Sequence, residues 1–169
     1  MKMSTISYET RINYNIFYHS HVISEETNLI EFAAFYSSIK IFKYLINSLS
    51  KEDIELLSNK SVNCPYLATY GNSFEIIKIC EQFNFNLTNS LFCAACFYKH
   101  EILNWLIEVK DIDIESYSEN YLCPLHQSAS SNNLRSLFYL LYKGANINKS
   151  KVKLHNEYEK DIVSPLMFG

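Results

Sequence analysis

The stretch that decides the fold is "CPLHQSASSNNLRSLFYLLYKGANIN", which occupies residues 123–148. Pro124 suits the first turn of a helix, because the N–H that proline lacks has no intrahelical partner there. Apolar residues then recur at helical spacing on both sides of a Ser-Asn-Asn turn. Gly144 supplies the left-handed backbone position at which many helices end, and "GANIN" continues beyond it. The stretch therefore predicts two short helices followed by an extended finger.

The same frame occurs three more times upstream, and a pair of small residues anchors each copy. In chain order the anchors are Ala33-Ala34, Ala68-Thr69, Ala94-Ala95 and Ser128-Ala129. Successive anchors lie 35, 26 and 34 residues apart, so the finger that follows the second copy must be short. Isolated helices of this length are marginal in water, and we expect the copies to fold by stacking on one another.

Each predicted second helix repeats one apolar face, which we expect to be buried against neighbouring copies. Three glycines and three prolines in 169 residues provide few turns for a sandwich or barrel of many short strands. The predicted fold class is therefore all-α, a solenoid of about four helix pairs with short extended fingers. The apolar faces consist of Ile41, Phe42, Tyr44 and Leu45; Ile76, Ile77, Ile79 and Cys80; Ile102, Leu103, Trp105 and Leu106; and Leu137, Phe138, Leu140 and Leu141.

The repeat frame divides the chain into three parts. Ser164-Pro165-Leu166 repeats the start at Cys123 after 41 residues, which predicts the first turn of a further repeat. We interpret this ending as part of a longer array, a shortened product, or a last face that a partner covers. The predicted parts are an N-terminal cap or the tail of a preceding helical region at 1–27, the array at 28–148 with repeats near 28–62, 63–88, 89–122 and 123–148, and an extended finger with an incomplete fifth repeat at 149–169.

Residues 123–148 resemble an ankyrin repeat, whose pattern begins T-P-L-H-x-A-A and closes with Gly-Ala-Asp/Asn-hydrophobic-Asn. Two residues depart from that pattern: Cys123 replaces the Thr that would cap the first helix, and Ser128 replaces one Ala. Two further segments, "HVISEETNLIEFAAFYSSIKIFKYL" and "FNFNLTNSLFCAA", are similar to ankyrin families of AT-rich protist genomes. The resemblance implies a non-enzymatic module that binds another protein, and it implies that His126 is structural.

Composition excludes several other classes of function. A net charge of −3 disfavours nucleic acid and anionic membrane surfaces as partners. Three glycines are too few for either Gly-rich phosphate-binding motif, so no nucleotide or other cofactor is expected. The N-terminus lacks the apolar core of a signal peptide, and five cysteines are an odd number. We therefore expect reduced thiols in a cytoplasmic or nuclear protein, with no membrane span and no small-molecule substrate.

Two local patterns suggest a thiol-redox site and a calcium site, but the repeat frame accounts for both segments without such chemistry. Cys93 and Cys96 form a C-x-x-C, but they lie within a first helix and outside any βαβ pattern, so a thiol-redox site is only an alternative. The segment "DIDIESYSENYL" starts like a calcium loop, yet it has Ser116 at the glycine position and Leu122 at the final glutamate position. No metal site is predicted.

The ankyrin resemblance places partner contacts on a concave face that first helices and fingers form. A row of lysines at alternate positions, followed by acidic residues, predicts a solvated finger. A purely architectural segment that connects domains of a longer chain remains an alternative. The candidate partner-binding residues are Gln127, Ser130 and Ser131 on the first helix, and Asn148, Lys149 and Lys151 on the finger.

Overall fold

The structure is a computed structural model, and it describes residues 27–60, 62–118 and 122–149 together with the backbone of two strands. The predicted start of a fifth repeat, at residues 164–166, lies outside the described residues, as do residues 1–26. The helices and strands that it describes are α1 (Leu29–Phe35), α2 (Ile39–Ser48), α3 (Lys51–Ser58), α4 (Cys64–Tyr70), α5 (Phe74–Gln82), α6 (Thr88–Cys96), α7 (His100–Glu108), α8 (Pro124–Ser130), α9 (Leu134–Tyr142), β1 (Lys151–His155) and β2 (Glu159–Val163).

Four helix pairs, α1/α2, α4/α5, α6/α7 and α8/α9, confirm the predicted all-α repeat fold. Beyond them, β1 and β2 pair antiparallel, with Lys151 opposite Val163 and His155 opposite Glu159. This hairpin occupies the segment for which an extended finger was predicted. The boundaries of the repeats themselves stay predictions.

The turns inside the helix pairs have the same spacing as the anchors. Each turn contains one residue in the left-handed region, with φ between 54° and 61°, and the next residue donates its N–H to an anchor carbonyl. Such a bond closes the end of a helix. The register predicted from the anchors is therefore the register of the structure. The four bonds run from Ser38 to Ala33 (2.8 Å), from Ser73 to Ala68 (2.8 Å), from Lys99 to Ala94 (3.1 Å) and from Asn133 to Ser128 (2.8 Å).

The chain forms two compact units, which divide between Leu87 and Thr88. In unit one α1 packs against α4, and in unit two α6 packs against α8, so neighbouring first helices approach at their small anchor residues. Ala34, Ala68 and Ala94 are fully buried at these contacts. Among the residues that the structure describes, the largest fully buried side chains are Phe42, Ile46, Leu57, Leu67, Ile76 and Ile77 in unit one, and Leu91, Ile102, Leu103, Leu106, Leu125 and Leu140 in unit two.

The sequence frame missed one helix, α3, which replaces an extended finger in the first copy. The Ser50 hydroxyl accepts the Asp53 N–H at 3.1 Å, and the Asp53 carboxylate accepts the Ser50 N–H at 3.4 Å. This reciprocal capping starts the helix, and the fully buried Leu57 holds its far end in the core. The Ser-x-x-Asp spacing was visible in the sequence.

The prediction that every second-helix apolar face is buried was wrong at three residues. Ile41 and Tyr44 of α2 are each 52% exposed, and Phe138 of α9 is 64% exposed. In the described part of unit one, the second helix that packs beside α2 is α5. In the described part of unit two, the second helix that packs beside α9 is α7. The outer flanks of α2 and α9 therefore have no second helix over them there.

Candidate protein-docking surface

Two fingers of unit two are joined by a cluster of charged and aromatic side chains. The Lys149 ammonium pairs with the Glu115 carboxylate at 2.7 Å, and it lies 4.3 Å from the centre of the Tyr117 ring. The same ammonium donates to the backbone carbonyl of Glu115, while the other carboxylate oxygen accepts the Asn146 N–H at 2.8 Å. Lys149 is only 16% exposed, so it fixes the fingers and differs from the solvated lysine that the sequence predicted.

The structure places the predicted α8 residues on one turn of that helix. Gln127 and Ser131 are half-buried and Ser130 is exposed. The hydroxyls of Ser130 and Ser131 both donate to the Gln127 carbonyl, at 3.0 Å and 2.8 Å. Asn148 is exposed on the finger, whereas only the backbone of Lys151, in β1, is described. Whether these six residues contact a partner stays a prediction.

Sequence reasoning missed three large exposed side chains in the turns and fingers of unit two. Tyr98, Tyr117 and Ile147 are 56%, 45% and 39% exposed. Tyr98 has φ of 60°, which is unusual for a bulky residue, and its hydroxyl donates to the Ser131 carbonyl at 2.8 Å. Aromatic side chains on a polar surface are typical of protein interfaces. Nothing in the repeat spacing distinguishes these residues, because they lie in turns and fingers.

A comparison with protein families identifies the fold. The family model for ankyrin repeats (3 copies) matches residues 30–151, which is more than half of the chain. The chain belongs to the ankyrin repeat family. Ankyrin repeats generally mediate protein–protein interaction and are generally non-enzymatic, so the coarse prediction of function is supported.

One similar curated protein is Alpha-latrocrustotoxin-Lt1a of Latrodectus tredecimguttatus. It is 29% identical over 93 residues, which cover 48% of this chain and 6% of that protein. The chain therefore spans a small fraction of the length of this relative. The similarity carries no activity across to this chain.

The start of α8 shows how this ankyrin chain replaces the usual threonine cap. Cys123 donates its backbone N–H to His126 Nδ1 at 3.3 Å, and its Sγ lies 2.8 Å from the same nitrogen. Both residues are buried, and burial raises the pKa of the Cys123 thiol. A sulfur is a weaker acceptor than a hydroxyl oxygen, so the helix N-terminus is less well capped than threonine would make it.

Replacing Cys123 with threonine is expected to stabilise unit two by about 0.5–2 kcal/mol. The gain comes from a hydroxyl acceptor at the start of α8, and Cys123→Val is the matched control because valine has the same shape without that acceptor. Urea unfolding followed by far-UV circular dichroism measures both variants. Equal midpoints for the threonine and valine variants would show that capping does not limit this helix.

The Cys93 and Cys96 pair has the opposite environment from a reactive thiol site. Burial raises the pKa of both thiols, and Cys93 is only 1% exposed. Reactive cysteines need a lowered pKa, because the thiolate is the nucleophile. All five cysteines carry thiols rather than disulfides. The geometry thus works against the thiol-redox alternative.

The polar groups between α7 and α9 also lack the properties of a catalytic site. The pKa of Tyr139 is raised to about 12, mainly by desolvation and to a smaller extent by its hydrogen bond to Glu108. The pKa of Glu108 is lowered mainly by a hydrogen bond from Lys143 and to a smaller extent by one from Tyr139. Desolvation lowers the pKa of His100. Tyr139 therefore stays a protonated donor and Glu108 an ionised acceptor near neutral pH, which is a structural pairing.

The described residues contain neither a cluster of metal ligands nor a helix that could span a membrane. No group of three or more His, Cys, Asp or Glu side chains there is arranged to hold a metal ion. None of the helices that the structure describes is both long enough and apolar enough to cross a membrane.

Proposed function

We propose that this chain is a non-enzymatic ankyrin adaptor that binds a protein partner through the finger face of unit two. We define the finger face as the surface formed by α8, the turn between α6 and α7, the finger before α8 and the finger after α9. Family membership supports binding in general, and the geometry of the fingers supports this particular face. The residues of the finger face are Tyr98, Tyr117, Gln127, Ser130, Ile147 and Asn148.

The observation that carries the proposal is the cluster of Glu115, Tyr117 and Lys149. It holds two successive fingers in one arrangement before any partner arrives. A rigid surface loses less conformational freedom on binding, and affinity rises accordingly. The exposed Tyr98 and Ile147 then offer apolar contact area of the kind that supplies binding energy at the centre of interfaces.

Affinity capture from cell lysate with the intact chain tests this face. The test variant carries Tyr98→Ser, Ile147→Ser and Gln127→Ala. The control variant carries Tyr44→Ser, Ile41→Ser and Gln82→Ala, which change the same residue types on exposed second-helix positions of unit one. Quantitative mass spectrometry should show partners that the wild type and the control retain and the test variant loses. Identical partners for all three chains would reject the finger face.

The fingers also dictate which variants are unsuitable for this experiment. Lys149→Glu would break the pair with Glu115 and place two carboxylates beside each other. Such a variant would change the structure of the fingers as well as their charge. A charge reversal that leaves Lys149 unchanged and alters Lys151 and Lys153 separates the two effects, and unchanged capture by that variant would exclude a partner that needs those charges.

We further infer a cytoplasmic or nuclear location and an origin among AT-rich protist genomes. The five thiols support a reducing compartment, and the two segments quoted above support the origin. The net charge of −3 supports a protein as the partner, without nucleic acid or membrane. Cell fractionation of the tagged chain tests the location, and recovery in a secreted fraction would contradict it.

A further inference from the structure

One row of side chains on α7 forms the edge on which the next second helix packs. The row consists of His100, Asn104 and Glu108, which are spaced four residues apart and share one side of the helix. Ser136 Oγ lies 3.1 Å from His100 Nδ1, and the Tyr139 hydroxyl donates to Asn104 at 2.6 Å and to Glu108 at 2.9 Å. Polar groups on α7 thus meet polar groups on α9.

The equivalent row on α9 is apolar and exposed. The anchors Ala94 and Ser128 are 34 residues apart, so the same row on α9 consists of Leu134, Phe138 and Tyr142. These side chains are 57%, 64% and 83% exposed. On α7 this side of the helix is covered by the next second helix. On α9 the equivalent side is exposed and carries large apolar side chains. We call these three residues the α9 row.

Two more leucines widen the α9 row into a helix-sized apolar band. Leu137 and Leu141 are half-buried and follow the first and second residues of the row by three positions. Apolar residues at i, i+3, i+4, i+7 and i+8 form a continuous stripe along a helix. A stripe of this width is the surface that an amphipathic helix covers when it packs lengthwise on another.

The charged side chains that α9 and its C-cap contribute are both basic. Arg135 and Lys143 follow the first and last residues of the row, and α9 contains no acidic residue. Lys143 pairs with Glu108, whereas Arg135 is exposed and makes no ion pair with any described residue. A second copy of α9 offers no acidic side chain to Arg135, so self-association through α9 would leave that charge without a partner.

We propose that the α9 row binds an amphipathic helix of a protein partner, one whose apolar stripe is flanked by acidic side chains. The helix lies along α9 as α9 lies along α7, with its apolar stripe on the row and its acidic flank beside Arg135. This surface is separate from the finger face, and the proposal does not depend on what the finger face binds.

Two synthetic helical peptides test the proposal on the intact chain. Both carry leucine at i, i+3, i+4 and i+7; one has glutamate at the flanking positions and the other has lysine. Fluorescence anisotropy should show binding of the glutamate peptide, with the lysine peptide weaker by about two- to fivefold. The triple variant Leu134→Ser, Phe138→Ser and Tyr142→Ser should weaken the glutamate peptide by about tenfold or more.

Two controls distinguish binding at the α9 row from non-specific hydrophobic binding and from misfolding. The variant Ile41→Ser and Tyr44→Ser removes exposed apolar side chains from α2 and should leave peptide affinity unchanged. Arg135→Glu, at an exposed position, should reverse the preference between the two peptides without loss of helicity. Variants of the finger face should bind the peptide like wild type, so the two proposals fail independently.

Three results would overturn the proposal. One is equal binding of the glutamate peptide by the wild type and the triple variant, and another is no binding at all by the wild type. The third is concentration-dependent self-association in sedimentation that the triple variant abolishes, because a second copy would then be the occupant of the row.

Discussion

Replacing Ala94 with leucine is expected to lower the free energy of unfolding by about 1–3 kcal/mol. Ala94 is fully buried in α6, which packs against α8, where Ser128 is the equivalent anchor and is also fully buried. A leucine has no empty space to enter at such a contact. It must push the two first helices apart or adopt a strained rotamer, and either response weakens the packing of unit two.

The matched control is Ala129→Leu, which makes the same change at the second anchor position of the last copy. Ala129 is half-buried, so part of a leucine side chain there can extend into solvent. Urea unfolding followed by far-UV circular dichroism should show a clear decrease in midpoint for the Ala94 variant and a smaller change for the control. A midpoint for Ala94→Leu equal to that of wild type would contradict the register of the anchors.

The helix pairs were predictable because their signals are local. An anchor of small residues, a polar turn and a second apolar segment recur within about 20 residues. The same turn joins the two helices of each pair. Gly144 illustrates this: the sequence predicted a left-handed residue there, and its φ is 94°. The Gly144 and Ala145 N–H groups then bond to carbonyls of α9, as a helix C-terminus requires.

The missed features depend on contacts between distant parts of the chain. Lys149 belongs to a row of alternating lysines, which indicates solvent, yet Glu115 of the preceding finger lies within ion-pair distance. No local sequence pattern predicts the contact between Lys149 and Glu115. The exposure of Phe138 is similar in kind, since its residue type predicts burial and the position of α9 in its unit leaves it uncovered. Only the structure shows which second helix has an outer flank.

The missed helix α3 is a different case, because its signal was present in the sequence. Ser50 and Asp53 have capping-box spacing, and Leu57 lies four residues after Asp53, about one helical turn. The repeat frame assigned this segment to a finger, and that expectation outweighed the local pattern. A repeat period predicts where copies begin, but the connections between copies follow their own local rules.

Replacing Gly71 with alanine is expected to destabilise unit one by about 1–3 kcal/mol through a contact, without any backbone strain. Gly71 has φ of −69°, which any residue adopts. The added Cβ would lie 2.3 Å from the Phe35 backbone oxygen and 3.0 Å from Ser37 Oγ. Because the nearest atom belongs to the backbone, no rotamer change relieves the overlap, and the Ser37 hydroxyl bond to the Gly71 carbonyl must shift with it.

Gly144 provides the opposite control, because a Cβ there meets nothing within 4 Å while φ is 94°. Alanine at 144 should cost about 1–2 kcal/mol by conformation alone, and asparagine, which tolerates the left-handed region, should cost less. At position 71 asparagine should be no better than alanine, since the overlap begins at Cβ. Urea midpoints for the four variants decide between the two mechanisms: a stabilising effect of asparagine relative to alanine at position 71 would show that conformation, and not the approach of the Phe35 carbonyl, requires glycine there.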